Sequence, residues 1–139
     1  MSFLSGIDIS GSGLTAQRLR MDIIASNLAN SETTRTEDGG PYRRKVPVFS
    51  IKEYSDKGGT SVKAGVKVVA IKEDPSPLRM IYDPGHPDAD VDGYVAMPNV
   101  NTLMEMVDMI TAARAYDANV TAINSAKAMA AKALEIARG

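Results

Sequence analysis

The chain is predicted to be α+β: two long terminal helices, packed as an antiparallel coiled coil, with a small β-rich middle segment. Three observations predict this. Apolar residues recur at helical spacing at both ends, from Ile7 to Leu28 and from Leu103 to Ala137. Almost all of the Gly and Pro punctuation falls between those ends, in Ser31–Pro98. Within that middle, apolar and charged residues alternate with period two. The implied division is 1–30 for the first helix, 31–98 for the β-rich middle and its connector, and 99–139 for the long final helix.

In the first segment Ile7, Leu14, Met21 and Leu28 form one stripe, with Ile24 and Ala25 beside it. Gly6, Gly11 and Gly13 weaken its early turns, since a glycine costs up to about 1 kcal/mol in a helix interior. Such a helix needs a partner to form fully, and both end helices are expected to be partly disordered in the free monomer. Asn30 and the polar run "SETTRTEDGGP" end it, with Asn30 placed to close exposed carbonyls and Leu28 to pack in the helix pair.

Next come the strands. "KVPVFSI" (Lys45 to Ile51) is strand-like, and in "SVKAGVKVVAIK" Val62, Ala64, Val66, Val68 and Ala70 share one face while Lys63 and Lys67 take the other. "LRMIY" and "GYVAM" are shorter candidates, and Gly58-Gly59 marks a turn. Three or four short antiparallel strands follow, too few to hold a strong core without neighbours.

The final helix opens with strong cues. Pro98 blocks the preceding strand, Asn99 and Asn101 suit turns or caps, and Thr102-x-x-Glu105 has the form of a capping box. Leu103, Met106, Ile110, Ala113, Tyr116, Val120, Ile123, Ala126, Ala130, Ala133 and Ala137 then keep helical spacing without an interrupting Gly or Pro. Lys132 and Arg138 suit the negative end of the helix dipole. A helix from Thr102 to Arg138 is roughly 55 Å long, more than so small a domain can cover. Further apolar or small residues, among them Met104, Val107, Met109 and Ala112, widen the stripe beyond one face. That width favours contacts with several neighbours over a single partner groove.

Composition removes several classes of function. Sixteen basic and 17 acidic residues nearly balance, so no strong field points to nucleic acid or to acidic membranes. With no cysteine and one histidine, disulfides, thiolate chemistry and Cys/His zinc sites are excluded. No apolar run is long enough to insert in a membrane, and Met1–Asn30 lacks the pattern of a cleaved secretory signal.

Two motifs promise chemistry. Asp88-Ala89-Asp90-Val91-Asp92-Gly93 has the D-x-D-x-D-G opening of a calcium loop, but Asn99 stands where the bidentate glutamate belongs and no helix enters from "DPGHP". Weak calcium binding by Asp88, Asp90 and Asp92 stays open, while turn-capping is the simpler role. Gly11-Ser12-Gly13-Leu14-Thr15-Ala16 matches G-x-G-x-x-A without the βαβ unit a dinucleotide needs. His86, between Gly85 and Pro87, has no nucleophile context. Neither an enzyme nor a cofactor is expected.

Two stretches carry more. "IIASNLANSET" (Ile23 to Thr33) resembles the N-terminal motif of the flagellar basal-body rod and hook family, and "MPNVNTLMEMVDMITAARAYDANVTAINSAKAM" (Met97 to Met129) resembles its C-terminal motif. The middle, with "GGPYRRK" and "YDPGHPDADVDGYVAMPNVN", is most similar to the short proximal-rod members. The resemblance implies a non-enzymatic axial protein of the bacterial flagellum, exported through the flagellar type III apparatus without a cleaved signal into the periplasmic rod. It implies an inner coiled coil of terminal helices and, as partners, other rod subunits, the rod-base adaptor at the membrane-ring protein and the rod-capping protein. Assembly is then expected to rest on Leu14, Met21, Ile24, Asn27, Leu28 and Asn30 of the first helix. On the second it is expected to rest on Met106, Ile110, Arg114, Tyr116, Asn119, Val120, Ile123 and Asn124, with Asn124 a candidate for fixing register. The alternative from another class is a helical adaptor or capping protein that never joins a filament.

Overall fold

A computed structural model of the chain describes residues 3–55 and 61–138. In order it contains α1 (Phe3–Ala29), β1 (Lys45–Ser55), β2 (Ser61–Glu73), β3 (Arg79–Tyr82), β4 (Tyr94–Met97) and α2 (Thr102–Arg138). The expected Gly58-Gly59 turn lies outside the described residues, as do the side chains of Val62, Lys63, Ala64 and Arg138.

The α+β class holds. α1 packs along α2 on one side and against the β1–β2 hairpin on the other. The helices run antiparallel: Gly13 lies against Asn119, Arg20 bonds Asp108, and Asn27 bonds Glu105. Buried and half-buried positions recur every seven residues on both helices. On α1 they are Ile9, Ala16 and Ile23 with Gly13, Arg20 and Asn27; on α2, Glu105, Ala112, Asn119 and Ala126 with Met109, Tyr116, Ile123 and Ala130. This is a coiled-coil seam.

The seam is not the predicted stripe. Ile7, Leu14, Met21 and Leu28 are only half-buried, on the flank of α1, and Leu103, Met106 and Ile110 are exposed on α2. From Tyr116 onward the predicted stripe and the seam share Tyr116, Ile123, Ala126 and Ala130. The bulkiest apolar residues define the periodicity in the sequence, but the helices close on each other through small residues (Gly13, Ala16, Ala112) that let the backbones approach.

The strands differ from expectation in length and grouping. They form two separate two-stranded antiparallel sheets, β1–β2 and β3–β4, and β1 and β2 run to 11 and 13 residues. Val66, Val68 and Ala70 are half-buried and Lys67 is exposed, as the alternation requires. Register shifts fall between Val48 and Phe49 and between Ile51 and Glu53. At the second, Gly65 takes φ 92°, and the Ser12 hydroxyl of α1 accepts the Val66 amide at 3.0 Å while donating to the Ile9 carbonyl at 2.7 Å. A bulge amide that would lack a ladder partner is thus satisfied by the helix beneath it.

The buried apolar residues Ala16, Ile23, Ile24, Tyr42, Val95, Val100 and Ala112 gather where α1 ends and α2 begins. The β3–β4 pair is pinned beside them by buried Val95 and by the Tyr82 and Tyr94 rings, 5.3 Å apart edge to face.

Candidate assembly interface

The best-built part of the molecule is a polar knot at that junction. Asn27 is buried, and all its hydrogen-bonding capacity is used. Its amide nitrogen donates to the Lys45 carbonyl at 2.9 Å and to Glu105 Oε2 at 3.0 Å; its oxygen accepts from Tyr42 OH and from the Lys45 amide, both at 2.9 Å. One side chain therefore joins α1, the start of β1 and α2.

Glu105, also fully buried, accepts from Arg44 Nε at 2.6 Å on its other oxygen. Arg44 continues to Asp74 at 3.4 Å and Asp108 at 3.6 Å, and Arg20 reaches Asp108 at 3.3 Å. Asn99 closes the ring: its oxygen accepts the Arg44 amide at 2.8 Å, and its amide group donates to the carbonyls of Asp74 and Ser76. Burial by itself would lower the Arg44 pKa, but hydrogen bonding and charge from Glu105 and then Asp74 outweigh it, and the guanidinium is held charged more firmly than in water. The Asp74 carboxyl lies below its ordinary value because the Ser76 hydroxyl and amide donate to it, with Arg44 adding to the effect against some burial.

The knot overturns the capping-box expectation. Asn101 is the N-cap of α2, its side-chain oxygen accepting the amides of Leu103 and Met104 at 3.1 and 3.2 Å. Glu105 cannot fold back over the helix start because Asn27 and Arg44 hold it inward. At the other end of the junction Asn30 closes α1 as expected, donating to the Ser26 carbonyl at 2.9 Å.

The remaining candidate residues divide between seam and surface. Ile24 is buried; Tyr116, Asn119, Val120 and Ile123 are half-buried along the helix pair. Asn119 packs on Gly13, where an added Cβ would come within 2.9 Å of its side-chain oxygen. Arg114 and Asn124 are exposed, so the polar residues inside the seam are Arg20, Asn27, Glu105 and Asn119. The sequence reading places Glu105 in a capping box and gives Arg44, Tyr42 and Asp108 no part in the helix junction. The signal that could have found Glu105 is its place in the heptad of Ala112, Asn119 and Ala126.

A second α2 surface faces away from the seam. Leu103, Met106, Val107 and Ile110 stand at i, i+3, i+4 and i+7, all at least half exposed. Farther along the same face the residues turn polar: Arg114, Asp117, Thr121 and Asn124.

The aspartate run makes turns. Asp83 accepts the Gly85 amide, and Asp90 accepts those of Asp92 and Tyr94. Asp88 reaches instead to Thr34 and Arg35, which hold its carboxyl below its usual value. His86 Nδ1 accepts the Asp88 amide at 3.0 Å. Among the described residues no group of three or more His, Cys, Asp or Glu is placed to hold a metal, and no helix is long and apolar enough to cross a membrane.

Paired terminal helices, a small β middle and a large apolar surface left open describe a structural subunit. The pattern of the family "Flagella basal body rod protein" matches residues 7–35, and that of "Flagellar basal body rod FlgEFG protein C-terminal" matches 91–136, so both motifs lie on the helix pair and its entry. The "Flagellar basal-body rod protein FlgC" of Borreliella burgdorferi is 48% identical over 155 aligned positions, covering all of both chains. Those of Bacillus subtilis and Salmonella typhimurium are 45% and 42% identical, over 99% and 98% of this chain and 100% and 98% of their own. The chain belongs to the FlgC family of flagellar basal-body rod proteins. It is a structural rod subunit, not an enzyme, and it assembles with other rod subunits.

Proposed function

We propose that this subunit occupies the proximal part of the rod, where its helix pair forms an inner layer of the torque-transmitting tube. Residues 1–30 and 99–139 act as the inner unit, and residues 31–98 as an outer segment that braces it. The exposed Leu103–Met106–Val107–Ile110 stripe carries this reading. A subunit that folds for itself alone has no reason to leave four bulky residues at helical spacing in water; a tube subunit needs a second contact face. Leu14, Met21 and Leu28, half-buried on the flank of α1, extend the contact, while Asn27, Asn30, Asn119 and Ile123 hold the pair in shape for it. The chain travels through the flagellar type III export apparatus without a cleaved signal. It meets the rod-base adaptor at the membrane ring and the rod-capping protein as the periplasmic rod grows.

The test is complementation of a null strain with the wild-type chain and with Ile110→Asp. Ile110 is exposed, so the variant is expected to unfold at the wild-type midpoint yet give neither rods nor swimming. Normal rods and swimming with Ile110→Asp would remove the stripe from assembly, and normal rods in the null strain would remove the chain from the rod.

A further inference from the structure

Residues of an antiparallel strand turn their amide and carbonyl together, alternately to one side and to the other. In β1 both Lys45 groups turn away from β2 and are taken by Asn27, while the Arg44 carbonyl turns toward β2 and accepts the Asp74 amide. The extra residues of both register shifts lie on β2, so the alternation along β1 is unbroken and Pro47, Phe49 and Ile51 also face outward. The Val66 amide agrees: Val66 stands opposite Ile51, and its amide points away from β1 to Ser12. Pro47 has no amide, as suits an edge, so the complete outward sets beyond Asn27 belong to Phe49 and Ile51. In β3 the Asp83 amide bonds the Gly93 carbonyl on the β4 side, and Tyr94, opposite Tyr82, turns its carbonyl away to the Asp90 amide. Met80 and Tyr82 therefore carry the outward sets of β3. Each sheet has two strands, so among the described residues no third strand covers either edge.

We infer that the free edge of β1 pairs with the free edge of β3 from a second copy of this chain. Each edge offers two complete amide–carbonyl sets two residues apart. An antiparallel register with Phe49 opposite Tyr82 and Ile51 opposite Met80 satisfies all four and passes clear of Pro47. Those side chains fall on one face of the joined strands. Phe49, Tyr82, Ile51 and Met80 are 39%, 64%, 55% and 56% exposed, so the pairing covers apolar surface that each subunit alone leaves in water. Phe49 also lines, with Pro47, Ile23 and Ile24, a cavity of about 330 Å³ beside the knot, and Tyr82 opposite it adds an aromatic ring next to that wall. The incoming strand continues an interface already in place, since Asn27 satisfies Lys45 as a strand would. On the other face Lys52 and Arg79 come opposite each other, the one unfavourable pair in this register. The contact uses different surfaces on the two copies, so it can repeat from copy to copy instead of stopping at a pair. It rests on the chain's being a rod subunit and is separate from the Leu103–Ile110 stripe.

The chain has no cysteine, so introduced thiols report the pairing directly. Ser50 and Ile81 are exposed and come opposite each other in that register, within reach of a disulfide. A chain with both Ser50→Cys and Ile81→Cys would be expressed beside the wild-type chain, and the purified basal bodies oxidised. Disulfide-linked dimers and larger multimers of this chain are expected from the double variant and from neither single variant. Arg79→Glu, which makes the Lys52 pair attractive, is expected to raise the cross-linked fraction at low salt. Ile51→Pro deletes one outward amide, as Pro47 does naturally; in the double-cysteine chain it is expected to keep the unfolding midpoint and lose the multimers. Complete rods in which the double variant stays monomeric on oxidation, or in which the multimers survive Ile51→Pro, would overturn the strand pairing and leave the rod assignment standing. Absence of the wild-type chain from purified rods would instead overturn the rod assignment itself.

Discussion

The two ends of the helix pair are built on opposite plans. At the junction end, Asn27, Glu105 and Arg44 are locked by hydrogen bonds from three elements, and the buried apolar residues collect around them. At the far end α2 runs on as an alanine-rich ridge with Met129, Leu134 and Ile136 in solvent. Polar saturation fixes one geometry at the junction; at the other end no such bonds hold the exposed residues in place. The locked residues and the bare ridge thus lie about a helix length apart, so a change on the ridge need not disturb the knot.

The contrast breaks most directly at Glu105. Glu105→Ala leaves the buried Asn27 amide one acceptor short and takes away the nearest partner of Arg44, which keeps Asp74 and Asp108, and is expected to cost about 1–3 kcal/mol in urea unfolding, the size of a buried polar group left unsatisfied. A cost below about 1 kcal/mol, the size of an exposed pair, would show that the knot contributes little to the fold.

A second test lies halfway along the seam. Gly13→Ala gains up to about 1 kcal/mol of helix propensity but forces Asn119 aside. The gain is therefore expected in full only in an Asn119→Ala background, and a double-mutant cycle reads the coupling. Equal effects in both backgrounds would mean that the helices do not meet as closely there as the 2.9 Å approach implies.

Acid probes the rim of the knot. Asp74 has a folded pKa below its ordinary value, so its contribution is present above the unfolded pKa of about 4 and is lost as pH falls through the folded value. Urea midpoints are expected to drop below about pH 4. Asp74→Asn, which cannot titrate, is expected to flatten part of that drop. Arg44, shifted upward, keeps its contribution at every pH below its ordinary value and stays charged throughout.

The smallest effect belongs to the tail. Leu134→Ala is expected to change stability by no more than about 0.5 kcal/mol, as exposed substitutions do. Amides 131–137 are expected to exchange with solvent fastest on α2, and those near Ala112 slowest. Uniform protection along α2 in the free monomer would erase the distinction between the ends.

Much of this organisation was legible in the residues. The bounds of α2, its length and the Asn30 cap followed from punctuation and periodicity, and the family from "IIASNLANSET" and its C-terminal counterpart. Asn27 could be singled out as a polar residue on an apolar helix, but its partners could not, because Tyr42, Lys45 and Glu105 come from other segments. Glu105 was misassigned because Thr102-x-x-Glu105 satisfies a local rule that a long-range interaction overrides.

The sequence by itself determined two terminal helices, a β middle, a non-enzymatic chain and the flagellar rod family, since each rests on local pattern or motif. Tertiary structure decided which face of each helix is inside, because that depends on how closely two backbones approach at Gly13, Ala16 and Ala112. It also decided that Glu105 belongs to the core, because a buried carboxylate is tolerable only where Arg44 and Asn27 converge on it. Finally it decided that the bulkiest stripe of α2 faces outward, because the helix pair closes through its small residues and leaves the large ones exposed.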